Sequence, residues 1–297
     1  MRRPATLPAN FETRHVAVVG GGTLGRRIAA VLVSGGTPVR LVARRAEQRQ
    51  AVHQFVADTL PDLASLRSAR GLPTMVQGRL ETLAEPTQAV PGAWLVIESI
   101  SEDLSAKQAL FVTLAGLADA DALIATNSSS FASRRVAAQL AQRNRIFNLH
   151  FTLPPKYMVV ELMGSDETQP GLLPAVAEVL RGYGLLPFIA QRESTGFIFN
   201  RIWAAIKREA LAVAAEGVSS PADIDDIMTA MFGVPPFRLM DQIGLDVVLA
   251  IEEHYAQENP HLPMAPRALL RRYVAAGKLG MKSGEGFYPY PSEACDA

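Results

Sequence analysis

Cysteine is nearly absent from this chain: Cys295 is the only one in 297 residues. A lone thiol excludes an internal disulfide and any zinc centre built on several thiolates. Near the end of the sequence it reads as an inert exposed group. Net charge is absent too, with 29 Lys and Arg against 29 Asp and Glu, which argues against a nucleic-acid or anionic-membrane surface. No apolar run approaches the roughly 18 to 20 residues needed to cross a bilayer. The opening MRRPATLPANFETR has Arg2 and Arg3 but no apolar core, so it is no secretory signal. It reads as a flexible leader, and the chain as a cytoplasmic protein without a membrane or nucleic-acid partner.

What is present is an ordinary core former of two-domain length, 48% hydrophobic and 20% charged. Residues 15–19 (HVAVV) form a short buried strand that ends in Gly20-Gly21-Gly22. Residues 23–34 then carry Leu24, Ile28, Val31 and Leu32 at the spacing of a helix face. Strands are expected at 39–43, 95–99, 123–126, 145–150, 158–163 and 186–190, with helices at 44–69, 105–117, 131–140 and 172–183 between them. Such alternation predicts a Rossmann-type, doubly wound α/β sheet over residues 1–192. Residues 193–297 read as all-α, with helices at 196–216, 245–255 and 265–276. Another helix starts at Ser220-Pro221-Ala222-Asp223, where Ser caps and Pro takes the first helical position.

Three stretches carry chemistry. Gly20-x-Gly22-x-x-Gly25 lies between strand and helix in a βαβ unit. There glycine permits the tight turn, the approach of a pyrophosphate and the packing of helix on strand. The helix N-terminus at Thr23 and Leu24 offers free N–H groups to phosphates. At the end of the second strand, where an acid would grip ribose hydroxyls, stands Ala43, followed by Arg44 and Arg45. Two guanidiniums beside a small neutral residue suit a 2′-phosphate, hence NADP over NAD; the competing reading is a solvated helix start. The third stretch, NLHFTLPPKYMVVELM, sets His150 at the end of one apolar run and Glu161 alone in the next. The pair suits proton transfer at the seam between two domains. A satisfied core histidine is the competing reading. No second His or Cys stands at metal-ligand spacing, so no metal is expected.

These motifs, with IESISEDLSAKQALF, ATNSSS, STGFIFNRI and a closing KSGEGFYPY, resemble the L-3-hydroxyacyl-CoA dehydrogenases. Their relatives 3-hydroxybutyryl-CoA dehydrogenase and L-gulonate 3-dehydrogenase belong to the same resemblance, which runs from about residue 15 to residue 290. It implies NAD or NADP as cofactor and an acyl-CoA as small-molecule substrate. It also implies a homodimer through the C-terminal domain. Residue by residue, it makes His150 the catalytic histidine and Glu161 the carboxylate that orients it. Ser129 and Asn200 would hydrogen-bond the substrate oxygen, and Glu102, Lys107 and Lys282 would approach the cofactor. The chemistry is coherent. A neutral imidazole takes the hydroxyl proton of a secondary alcohol as hydride leaves, and the carboxylate fixes its tautomer.

The sequence departs from the family at Leu153, where relatives place an asparagine, and in a His150–Glu161 interval one residue shorter. Its segment between the second and third strands, which carries a helical arm in the fatty-acid enzymes, is short, and the arm's CoA-binding lysine finds no match. Arg67 or Arg70 is the available substitute for it. A free hydroxy acid such as L-gulonate, or a non-catalytic nucleotide-binding role, are the other readings. His254 and His261 read as surface residues, and Trp94 and Trp203 as packing. Phe197, Ile198, Ile202, Leu245, Val248 and Leu249 read as helical core that also supplies a subunit interface.

Overall fold

A computed structural model of the chain describes residues 7–74 and 76–291; Cys295 and the first six residues lie outside them. The chain divides into two compact units, the first ending at Ile198 and the second beginning at Phe199.

The first unit is built on eight strands: β1 (Val16–Val19), β2 (Val39–Val42), β3 (Leu80–Leu83), β4 (Leu95–Glu98), β5 (Leu123–Thr126), β6 (Ile146–Leu153), β7 (Tyr157–Met163) and β8 (Leu186–Ala190). Their order in the sheet is β3-β2-β1-β4-β5-β6-β7-β8. Helices α1 (Thr23–Ser34), α2 (Ala46–Ala69), α3 (Pro86–Ala89), α4 (Leu104–Leu117), α5 (Ser133–Val136) and α6 (Leu172–Gly182) make the crossovers. Alternate residues of each strand serve opposite faces. Val16 and Val18 pack with α1, α2 and α6, and Ala17 and Val19 with α3, α4 and α5. The sheet is thus buried on both faces, as a doubly wound fold requires.

One neighbouring pair is antiparallel, β6 with β7. Only Pro154, Pro155 and Lys156 separate those strands, too few for a crossover helix and enough for a hairpin. The hairpin places His150 directly opposite Glu161. The register then shifts between Phe151 and Leu153, on the turn side of the pair. Across the ladder the Cβ atoms of His150 and Glu161 fall within about 5.5 Å.

Several expectations need correction. The strand β3 and the short α3 carry too few apolar residues to stand out in the sequence. The helix expected at 131–140 shrinks to α5, whose first N–H, that of Ser133, goes to Asn148 Oδ1 at 2.6 Å and whose Arg135 carbonyl is held by Gln108. The leader is not loose over residues 7–14. Leu7 and Phe11 pack on the core, Phe11 lies 5.2 Å from Trp94, and Arg14 pairs with Asp119 and Asp121. Arg67 is buried and holds the carbonyls of Gly182 and Pro73, while Arg70 holds that of Gly184. Both arginines are committed to the fold rather than to a phosphate.

The second unit is helical: α7 (Phe199–Ala215), α8 (Pro221–Phe232), α9 (Pro236–Ile243), α10 (Leu245–Glu258) and α11 (Ala265–Ala275). Ser220 caps α8 as expected, its Oγ accepting the Asp223 N–H at 3.1 Å. Leu211, Phe237, Met240, Leu245, Val248 and Leu270 form the core. Of the residues read as helical core, Ile198 and Ile202 are exposed, and Phe197 and Ile198 precede α7. The closing KSGEGFYPY is latched by two buried aspartates. Asp225 accepts the Tyr288 hydroxyl at 2.8 Å; Asp241 accepts the Tyr290 hydroxyl and the N–H groups of Phe287 and Tyr288. Burial pushes the Asp241 carboxyl above its ordinary range despite these donors. Among the described residues no helix is long and apolar enough to cross a membrane.

Candidate active site

The glycine turn does what its spacing demands. Gly20 has φ +121°, and a Cβ there would fall 2.2 Å from the Ser99 carbonyl oxygen. A Cβ on Gly25 would fall 1.8 Å from the Gly20 carbonyl oxygen, so α1 can seat against β1 only with glycine at that position. Gly22, by contrast, faces open space beside the free N–H groups that start α1. A cavity of about 930 Å³ adjoins the turn, lined by Gly20, Gly21, Gly22, Ala43, Arg44 and Arg45 among others. Ala43 is buried, and both arginines are exposed. Arg49, which the sequence did not single out, clasps the carbonyls of Ala43 and Arg44 at 2.8 and 2.9 Å and so shapes this corner. An open backbone at Gly22, a helix N-terminus and nearby cations fit a dinucleotide's phosphates.

A second cavity, about 400 Å³, brings together Gly22, Thr23 and Leu24 with Glu102, Lys107, Ser129 and His150. Behind it lies a buried polar cluster. Lys107, 1% exposed, donates to Glu98 Oε1 at 2.6 Å and pairs with Glu102 at 3.2 Å. Glu98, 0% exposed, also accepts the Thr126 hydroxyl and the Ile100 N–H. Glu102 accepts from Ser128 Oγ at 2.5 Å and from the Ser130 N–H at 3.0 Å. Burial pushes the Glu102 carboxyl up, but Ser128, the Lys107 charge and Ser130 outweigh it and hold it below the ordinary carboxylate range. The cluster ties the loop after β4 to the loop after β5, which presents Ser129. Glu98, Thr126 and Ser128 were missed in the sequence. The available signal was a carboxylate closing the apolar strand LVIE, with a lysine nine residues on.

His150 is 7% exposed and Glu161 2%. Nδ1 of His150 lies 3.1 Å from Glu161 Oε2, and Glu161 Oε1 accepts the Ile198 N–H at 2.9 Å. The imidazole stacks on Phe197, ring centroids 5.1 Å apart at 25°. Asn127 Oδ1 accepts the Phe151 N–H at 2.8 Å and steadies β6 one residue beyond the histidine. With Nδ1 donating to a carboxylate, Nε2 keeps its lone pair and can take a proton. Two expected site residues belong to the second unit. Asn200 is the second residue of α7 and half-buried. Lys282 pairs with Asp246 at 2.5 Å and is 46% exposed.

The chain is similar to known proteins over nearly its whole length. The profile of the 3-hydroxyacyl-CoA dehydrogenase NAD-binding domain matches residues 15–193, and that of the 3-hydroxyacyl-CoA dehydrogenase C-terminal domain matches residues 196–290. Human mitochondrial hydroxyacyl-coenzyme A dehydrogenase is 31% identical over 287 residues, 93% of this chain and 91% of that one. The 5-formyl-3-hydroxy-2-methylpyridine 4-carboxylate 5-dehydrogenase of Mesorhizobium japonicum is 30% identical over 293 residues, 96% of this chain and 93% of that one. The crystal structure of (S)-3-hydroxybutyryl-CoA dehydrogenase from Ralstonia eutropha superposes with a TM-score of 0.82 at 30% identity, covering 94% of this chain and all of that one. On its profiles, its relatives and its fold, this chain belongs to the 3-hydroxyacyl-CoA dehydrogenase family of NAD-dependent oxidoreductases.

Proposed function

We propose that the protein interconverts a (3S)-3-hydroxyacyl-CoA and its 3-oxoacyl-CoA, with His150 as general base for oxidation and general acid for reduction. The observation that carries this is the buried Glu161–His150 pair, whose free imidazole edge lines one cavity with Ser129 and the start of α1. When bound, the nicotinamide supplies the hydride acceptor. The chain does the rest. His150 Nε2 takes the hydroxyl proton, Glu161 holds the tautomer and offsets the imidazolium charge, and the Ser129 hydroxyl orients the reacting oxygen. For Asn200 and Lys282 the support is the family resemblance alone.

The reading includes a preference for NADP over NAD, supported by a buried Ala43 where a carboxylate would repel a 2′-phosphate and by exposed Arg44 and Arg45 beside it. One experiment tests substrate and cofactor together. Acetoacetyl-CoA reduction is compared with NADPH and NADH, by kcat/KM, in the wild type and in Ala43→Asp, and oxidation of L-gulonate and of a formyl pyridine carboxylate is assayed beside it with NADP+ and NAD+. Acetoacetyl-CoA should turn over with NADPH favoured, and Ala43→Asp should move the ratio toward NADH by about ten-fold or more. A wild-type preference for NADH that the substitution leaves unmoved removes the cofactor preference. Turnover of the free acids alone replaces the substrate, and cofactor binding without any turnover makes the protein a non-catalytic binder.

A homodimer through the helical unit is part of the same proposal. Ile227, Met231 and Phe232 of α8 are each more than half exposed, an apolar row that a partner would cover. Sedimentation should give the mass of two chains; a monomer at micromolar concentration removes this part.

A further inference from the structure

Beyond β8 the chain makes a turn whose backbone is unusual. Gly196 has φ +74° and Phe197, a bulky non-glycine residue, has φ +55°. A phenylalanine rarely occupies the left-handed region, and such a residue persists only where its surroundings hold it. Here they do. The Ser194 N–H lies 3.2 Å from Met163 Sδ, and the Phe197 N–H returns to the Ser194 carbonyl at 3.1 Å. The phenyl ring is 3% exposed, packed with Met163 and Ala190.

The reversal sends two consecutive groups to the two halves of one pair. The Phe197 ring lies nearly parallel to the His150 imidazole, and the next backbone N–H, that of Ile198, binds the Glu161 oxygen that His150 does not use. With Oε2 on the imidazole and Oε1 on Ile198, the carboxylate cannot rotate off the histidine without losing a buried hydrogen bond. The stacked phenyl blocks imidazole rotation, so Nδ1 stays on Glu161 and Nε2 stays on the cavity side. Once the imidazole is protonated, the phenyl face lies against a cation, which adds attraction in that state alone.

We infer that Phe197 is a positioning residue for His150, held in place by the left-handed turn, and not merely a core residue. The inference rests on His150 being the proton-transfer group, and its test reads the ring directly as well as through turnover. Full-length protein labelled with ¹⁵N-histidine has five histidines to resolve, and His150→Gln assigns the one concerned. In the wild type His150 should show one tautomer, with the proton on Nδ1. Phe197→Leu and Phe197→Met keep an apolar side chain without a ring; both tautomers should then appear. The kcat for acetoacetyl-CoA should fall about three- to ten-fold, the scale of an aromatic contact, with KM for the cofactor little changed. Phe197→Tyr, which keeps the ring, should restore the single tautomer and the rate.

A single tautomer and full kcat in either aliphatic variant would overturn the inference, as would a Tyr variant no better than Leu. The tautomer readout needs no substrate, so it separates the two claims. If the wild type turned over no substrate while the tautomer still responded to residue 197, the positioning role would stand and the proposed reaction would fall.

Discussion

His150→Gln is expected to lower kcat about 10²- to 10⁴-fold, the usual worth of a positioned general base, while cofactor affinity stays near the wild-type value. Gln approximates the reach of the imidazole and can still donate to Glu161, so the hairpin should hold its register. It cannot accept a proton at neutral pH. The cofactor-side elements, the glycine turn after β1 and the cluster behind β4, lie on other strands and none of their hydrogen bonds passes through His150. Steady-state turnover of acetoacetyl-CoA measures the first half and titration of the reduced cofactor the second. Near-normal kcat would remove His150 from proton transfer. A loss of cofactor binding as large as the loss of rate would make it a structural residue.

The glycine turn and the His–Glu pair were legible in the sequence for different reasons. Gly20, Gly22 and Gly25 are read from local backbone demands, a strand, a turn and a helix within a dozen residues, and each demand is sterically severe. His150 and Glu161 are eleven residues apart, on two apolar runs split by a two-proline break, and the family resemblance coupled them; the antiparallel pairing that sets them opposite is seen in the structure. Local rules therefore reach the first, and the second only with the resemblance beside them. They did not reach β3, whose half-buried LETL has too little apolar contrast, nor the truncation of α5. Its start is fixed by Asn148, 15 residues from the N–H it binds. Propensity inside the segment carries no trace of that contact.

The same limit explains the site residues that were missed. Phe197 reads as one more apolar residue of a helix face in GFIFNRI. Its role comes from a left-handed backbone, which sequence pattern does not report for a non-glycine residue. Glu98 is the sharper case. Its burial in LVIE was readable, but what satisfies it was not, because Thr126 lies 28 residues away on β5. Arg67 and Arg70 erred in the other direction. Offered as substitutes for the missing CoA-binding lysine, they are spent on backbone carbonyls, those of Gly182 and Gly184 more than a hundred residues distant.

Lys107→Met is expected to destabilise the protein by about 3 to 5 kcal/mol, the cost of leaving a buried charge without its partner. The family resemblance makes Lys107 a cofactor contact, yet its Nζ is shared among Glu98, Glu102 and the Ile100 carbonyl and the residue is almost wholly enclosed. Removing it strands Glu98, which has no access to water. Against the roughly 5 to 15 kcal/mol that holds a domain together, the loss should show as a large drop in the urea midpoint. The double variant Lys107→Met/Glu98→Gln should recover about 2 kcal/mol of it. A neutral Gln amide can still accept the Ile100 N–H and donate to Thr126, so the buried charge disappears with its partner. Glu102 should then move up toward the ordinary carboxylate range, because Lys107 no longer stands beside it. If Lys107→Met instead left the urea midpoint unchanged and only raised KM for the cofactor, Lys107 would be a cofactor contact first. The fold around Glu98 would then have to be satisfied by other means. If the single and double variants were equally unstable, the loss would come from packing around the lysine stem rather than from an uncompensated carboxylate. The two carboxylates also differ in what they should show when the lysine goes. Glu98 should report through stability, because it is enclosed, and Glu102 through the set of the Ser128–Ser130 loop, because it is bonded to both ends of that loop. A loosened loop displaces Ser129, so the double variant should regain stability sooner than turnover.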